Sequence, residues 1–213
     1  VNLIEENCKA LDADKKSQIL IVYTPAVPKD HNEFVFFTTN GFDVKKRSQV
    51  LGLITEASYT IAVAGTHGKT TTSSLIAHVL KTANLDPSAF LGGITQNYKT
   101  NLLLSAGLRA NNQPTTNNLV VVEADEYDRS FLTLHPEIAV ITSVDADHLD
   151  IYGDKNQVEE SFLLFAQQVR STLILKKSIA SKMNTGKKNI TYSVSDDAAD
   201  YFAQNIKIEN GAY

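Results

Sequence analysis

Short apolar runs alternate with amphipathic stretches along most of this chain. Ile19-Leu20-Ile21-Val22-Tyr23 is continuous, rich in β-branched residues and closed by Thr24-Pro25, so it reads as a buried parallel strand rather than a half-exposed antiparallel one. Residues 30–37 predict a helix stopped at Asn40-Gly41, and Phe42-Asp43-Val44 a short strand. From 47 to 55 the spacing puts Val50, Leu51 and Ile54 on one helical face. A second unit opens at Tyr59. Its strand, Thr60-Ile61-Ala62-Val63-Ala64, runs into a glycine turn, and residues 70–83 form a helix ended by Asn84, Asp86 and Pro87. Leu119-Val120-Val121-Val122, Ile138-Ala139-Val140-Ile141 and Thr172-Leu173-Ile174-Leu175 are further buried strands. Between the last two, residues 156–169 form an amphipathic helix carrying Phe162, Leu163, Phe165 and Ala166. Residues 108–118 read as a polar surface loop, and 190–208 as short β-like pieces between acidic turns.

Strands alternating with helices predict a mostly parallel sheet covered on both faces. The fold class is α/β: a P-loop-type sheet flanked by helices over 59–213, preceded by a partial Rossmann-like α/β domain over 1–58. That first region reads as the end of a small α/β unit whose opening strand is missing, so its exposed edge could pair with another copy. A start without Met and a finish at Gly211-Ala212-Tyr213 read as a truncated piece of something longer.

The glycine turn carries the chemistry. In Gly65-Thr66-His67-Gly68-Lys69-Thr70-Thr71, strand, turn and helix aim backbone N–H groups and the helix dipole at one point, which suits a polyphosphate. Gly65 and Gly68 let the backbone approach an anion closely. Lys69 would reach the β- and γ-phosphates of ATP, and the Thr70 hydroxyl would ligate Mg2+. A lysine roughly 4 Å from a phosphate contributes about 4 kcal/mol per unit charge at an effective dielectric near 20. Val63 stands where the strict pattern has its first glycine.

Acids follow at the ends of the next two strands, where parallel α/β sheets bind ligands. Val120-Val121-Val122 runs into Glu123-Ala124-Asp125-Glu126, which places Glu123 or Asp125 to hold magnesium beside Thr70. Ile138 to Ile141 leads to Asp145-Ala146-Asp147-His148-Leu149-Asp150, where a histidine among aspartates suits a metal ligand with its tautomer held by a carboxylate. His31, His78 and His135 read as structural or exposed.

Three segments together resemble the Mur ligase family, which adds amino acids to the cell-wall precursor: Gly-Thr-His-Gly-Lys-Thr-Thr-Thr at 65–72, Glu-Ala-Asp-Glu-Tyr-Asp-Arg-Ser-Phe at 123–131, and Asp-Ala-Asp-His-Leu-Asp-Ile-Tyr at 145–152. They look most like the alanine-adding member. The resemblance implies ATP and Mg2+ as cofactors, with Glu123 and His148 joining Thr70 at the metal. Lys69, His148 and Glu123 are then the catalytic set, and 65–71 is the nucleotide-binding loop. It further implies UDP-N-acetylmuramate and L-alanine as substrates, with residues 22–28 closing a UDP-binding domain and a missing C-terminal domain completing the site. Phe90-Leu91-Gly92-Gly93 and the loop 126–130 would face the muramyl sugar. Ser143 and Asp145 stand where relatives commonly carry asparagine and glutamate. Two rivals share the motifs: a ligase that re-attaches murein tripeptide, and a P-loop nucleotide-binding module of another function.

Composition narrows the partners. A formal charge of −4 leaves no electrostatic footprint for nucleic acid or an anionic membrane. No run of about 18 apolar residues supplies a membrane span. The single cysteine, Cys8, excludes an internal disulfide framework and a multi-cysteine zinc site. These features fit a cytoplasmic protein.

Overall fold

The computed structural model describes residues 13–106, 118–145, 152 and 154–206. The chain divides into two compact units, Val1–Leu53 and Ile54–Tyr213.

In the first unit, strands β1 (Leu20–Tyr23) and β2 (Asp43–Lys46) pair in parallel, with Leu20 opposite Asp43 and Tyr23 opposite Lys46. The helix between them, α1 (Asn32–Thr39), is closed by Asn40, and Gly41 follows at φ 72°, a left-handed exit that glycine adopts without steric cost. Phe37 and Phe42 are its buried centre, edge-to-face at 5.2 Å, with Ile19, Ile21, Phe36 and Val44 packed around them. The predicted strand is therefore parallel, but it is not buried on both faces. Leu20 and Val22 are 43% and 48% exposed. Ile21, between them on the opposite face, joins the aromatic cluster, as does Ile19 just before β1. A second correction concerns helix α2 (Arg47–Glu56), whose buried side is Gly52 and Thr55 while Ile54 faces out.

The second unit is built on eight strands in the order β10-β9-β8-β7-β3-β6-β4-β5. These are β3 (Tyr59–Ala64), β4 (Ser88–Phe90), β5 (Leu102–Leu103), β6 (Leu119–Glu123), β7 (Ile138–Ile141), β8 (Thr172–Lys176), β9 (Lys188–Ser193) and β10 (Tyr201–Phe202). Every pairing is parallel except β4 with β5. The central strands carry the continuous apolar runs because they are covered on both faces: Ala62, Val63, Ala64, Val120, Val121, Val122, Ala139 and Ile141 have no exposed surface. β4, β5 and β10 are too short to announce themselves by periodicity, and they flank the sheet at or near its edges.

Helix α3 (Lys69–Thr82) lies against β3 and β6. Its small inward residues Ser73 and Ala77 are buried, and Ala77 packs with Ala89, Leu91, Leu103 and Val121. Helix α4 (Lys155–Gln168) starts at Asp154, whose carboxylate accepts the Gln157 N–H at 3.0 Å, an ordinary N-cap. Its Phe162 and Phe165 meet Phe131 at centroid distances of 5.2 and 5.0 Å. Phe131 belongs to a 3-10 turn (Tyr127–Thr133) after β6, so this aromatic trio holds the segment beyond β6 against α4. The predicted loop 108–118 lies outside the described residues apart from Asn118.

Two outcomes follow from this packing. Phe131→Ala removes the centre of the trio and should cost about 3 to 5 kcal/mol of unfolding free energy, read from urea denaturation. Asp86 accepts the Ala106 N–H, with Lys81 at 3.5 Å, and these partners hold its carboxyl below the ordinary 3.8. A depressed native value stabilises the fold above about pH 4 and is lost as pH falls through it. The stability gap between wild type and Asp86→Asn should therefore narrow in denaturation series taken below about pH 4.

Candidate functional site

β3 is the switch point of the sheet: the strands on its two sides, β6 and β7, follow it in the chain in opposite directions across the sheet. Ligands of open α/β sheets bind outside the carboxyl ends of the strands at such a point. The glycine turn sits there.

One close approach and four hydrogen bonds moor it to the segment after β7. Gly65 has φ 135°, and a Cβ on it would collide with the Thr142 hydroxyl and lie 2.9 Å from the Ser143 nitrogen. The Thr66 N–H donates to the Ser143 carbonyl at 3.2 Å, and the His67 N–H to the Ser143 hydroxyl at 3.0 Å. In return the Thr142 hydroxyl donates to the His67 carbonyl, and the Asp145 N–H to the Thr66 hydroxyl at 2.9 Å. Gly68 then takes φ 81° as the N-cap of α3, a conformation glycine reaches without strain. The first-turn amides of a helix have no partner within it and face the space beyond.

Lys69 folds back over the turn. Its ammonium donates to the Gly65 carbonyl at 2.8 Å and meets both carboxylate oxygens of Glu126, Oε1 at 2.9 Å and Oε2 at 2.7 Å. Oε2 faces the ammonium without a well-directed hydrogen bond. Next along the helix, the Thr70 hydroxyl donates to Glu123 Oε1 at 3.1 Å. Glu123 Oε2 accepts the Gly92 N–H at 2.8 Å. A Cβ on Gly92 would overlap that carboxylate, and one on Gly93 would press the Thr70 methyl at 3.2 Å. This close approach is why a double glycine follows β4. Thr70 and Glu123 thus present two hard oxygen donors side by side, a donor set that fits magnesium.

Glu126 is held from behind. The Tyr152 hydroxyl donates to its carbonyl, which also accepts the Arg129 N–H at 2.9 Å. Burial, and then the Glu126 charge, push the Tyr152 phenol up to about 12, so it stays a donor at neutral pH. Asp128 and Arg129 both adopt left-handed backbone at φ 51° and 54°, which costs non-glycine residues energy that the surrounding contacts must offset. The Arg129 guanidinium lies 5.4 Å from the Tyr152 ring centroid and donates to Gln157 at 3.2 Å.

Of the residues singled out in the sequence, Gly65, Thr66, His67, Gly68, Lys69, Thr70 and Thr71 form the turn and the start of α3, with Glu123 beside Thr70. Asp125, the other acid considered, is exposed and bonds the Tyr127 N–H instead. His67 is exposed, its Nε2 4.0 Å from Asp145 Oδ2. His148 lies outside the described residues. Among the described residues no three His, Cys, Asp or Glu side chains cluster, and no helix is long and apolar enough to cross a membrane. The roles of Glu126 toward Lys69, and of Thr142 and Ser143 toward the turn, were not legible in the sequence. They depend on pairs more than 50 residues apart.

A lysine-bearing glycine turn between a central parallel strand and a helix defines a P-loop-type α/β domain. Residues 63–212 match the model of the Mur ligase middle domain, and the chain belongs to the Mur ligase family. It is 48% identical over 99% of its length to a UDP-N-acetylmuramate--L-alanine ligase of Parabacteroides distasonis, and 50% identical over 90% to one of Porphyromonas gingivalis. It covers 43% and 41% of those proteins, so the chain spans about two fifths of the relatives it matches. Among solved structures, a UDP-N-acetylmuramate-alanine ligase of Thermotoga maritima aligns at TM-score 0.66 and 27% identity, over 83% of this chain and 39% of that one. A UDP-N-acetylmuramate:L-alanyl-gamma-D-glutamyl-meso-diaminopimelate ligase of Neisseria meningitides shares the fold at TM-score 0.70 and 23% identity, over 90% of this chain and 67% of that one.

Gly65→Ala should destabilise the second unit by well over 1 kcal/mol, because it adds both a strained φ and a clash with the Thr142–Ser143 segment. Gly68→Ala meets no neighbour and should cost less. Thermal melts of the two variants side by side check the order.

Proposed function

We propose that the longer protein containing this chain is an ATP-dependent ligase that joins L-alanine to the lactoyl carboxylate of UDP-N-acetylmuramate. In this reading the glycine turn and the start of α3 take the triphosphate, and Lys69 offsets charge on its terminal phosphates. Thr70 and Glu123 hold Mg2+, with His148 as a further ligand. The terminal phosphoryl group passes to the carboxylate, and the amine of alanine displaces phosphate from the acyl phosphate to leave an amide. Bringing two anions together is a problem of charge neutralisation and positioning rather than of protein-bound intermediates. Residues 1–58 belong to the UDP-binding domain, 59–213 to the ATP-binding domain, and the remainder of the longer protein completes the amino-acid site. The reaction runs in the cytoplasm, where ATP is available.

The observation that carries this reading is the convergence of Lys69, Gly65, Thr70 and Glu123 at the carboxyl ends of β3 and β6. The choice of alanine rests on the likeness to alanine ligases over nearly the whole chain.

A coupled ADP-release assay on the full-length protein tests it. Turnover should require both UDP-N-acetylmuramate and alanine, and murein tripeptide should not replace the amino acid. Lys69→Ala should lower turnover by at least about a hundredfold per folded molecule, beyond any loss of stability from leaving Glu126 without its cation. ADP release that ignores the UDP-sugar would point instead to an unrelated P-loop hydrolase.

A further inference from the structure

A phosphate cradle needs its lysine available to the anion, yet here the ammonium is already neutralised. Glu126 is buried, with 3% of its surface exposed, and both its oxygens lie within 3 Å of Lys69 Nζ. The pair sits largely out of water, where removing one partner leaves an uncompensated charge. The acid is also the less mobile member. Its carbonyl is held by the Tyr152 hydroxyl and the Arg129 N–H, and the next turn is closed by the Phe131 N–H on the Asp125 carbonyl at 2.9 Å. Phe131 anchors that turn in the aromatic trio. Lys69 has a four-carbon stem free to redirect its head. A side chain so built can exchange one anion for another while the main chain of the acid stays in place.

We propose that Glu126 is the internal counter-ion of Lys69, holding the ammonium in the nucleotide-free protein and competing for it with the terminal phosphates of the nucleotide. This rests on the reading of the turn as an ATP site and adds to it a residue that opposes binding. Two negative groups claim one cation, so the carboxylate keeps the lysine away from weak anions and yields it only to a ligand that brings more charge and further contacts. A buried acid beside a polyphosphate site is otherwise a liability, since it repels the ligand whenever the lysine leaves it.

The test uses the full-length protein and a fluorescent ATP analogue titrated with Mg2+ present. Glu126→Gln keeps the shape and removes the charge. The expected result is nucleotide binding roughly tenfold tighter, within the usual range of coupling between competing claims on one group. A packing lesion, or loss of a residue that orients Lys69 for the phosphate, would weaken binding instead. The gain should vanish in the Lys69→Ala background, because the competition has lost its object. A gain that persists there would mean simple repulsion through space and would overturn the proposal, as would unchanged or weaker binding by Glu126→Gln. Should circular dichroism show that Glu126→Gln does not fold, Glu126→Asp retracts the carboxylate by one carbon and should give a smaller gain in the same direction; no gain there overturns the proposal equally. Wild-type protein that binds no nucleotide sinks this proposal together with the ATP reading, whereas a binding wild type with no gain in the variant sinks the counter-ion alone.

Discussion

The pressure of one glycine turn against the end of β7 organises this site. Gly65 touches Thr142 and Ser143 so closely that no side chain fits, and the Thr66 and His67 amides and the Thr66 hydroxyl are bonded by that segment. A turn left to itself would sample many conformations and pay their entropy on binding. Here the sheet has met that cost in folding. The start of α3, Lys69 and Thr70 inherit their positions from this contact.

Around the turn, the acids divide by environment. Glu123 ends a central strand and is gripped on two sides, by the Thr70 hydroxyl and the Gly92 amide. Glu126 lies three residues on, buried, with its two oxygens on Lys69. Asp125 between them is exposed and serves its own turn. Three carboxylates within four residues thus face a hydroxyl, a cation and water. The Tyr152 hydroxyl and the Arg129 N–H hold the Glu126 carbonyl just before the left-handed pair Asp128 and Arg129.

The two units of the chain differ in how far their apolar residues are covered. In the second, the central strands are sealed by helices and neighbouring strands. In the first, β1 alternates exposed and partly buried positions although its composition is apolar throughout. An apolar run is a statement about what a strand tolerates. How many of its faces are covered depends on neighbours, and for β1 the described residues supply one strand and the aromatic cluster around Phe37 and Phe42.

By itself the sequence determined the α/β class, the longer strands and helices to within a few residues, and the turn from Gly65 to Thr71, because these rest on local periodicity and on glycine spacing. Residue types also brought Glu123 and Thr70 forward as oxygen donors. Only the tertiary structure decided which acid faces which partner, the antiparallel pairing of β4 with β5, and the outward turn of Leu20, Val22 and Ile54. It also decided that Thr142, Ser143 and Gly92 shape the site. These are consequences of contacts between residues far apart in the chain, made when strands line up in an order that differs from their order in sequence, and no local pattern encodes that alignment.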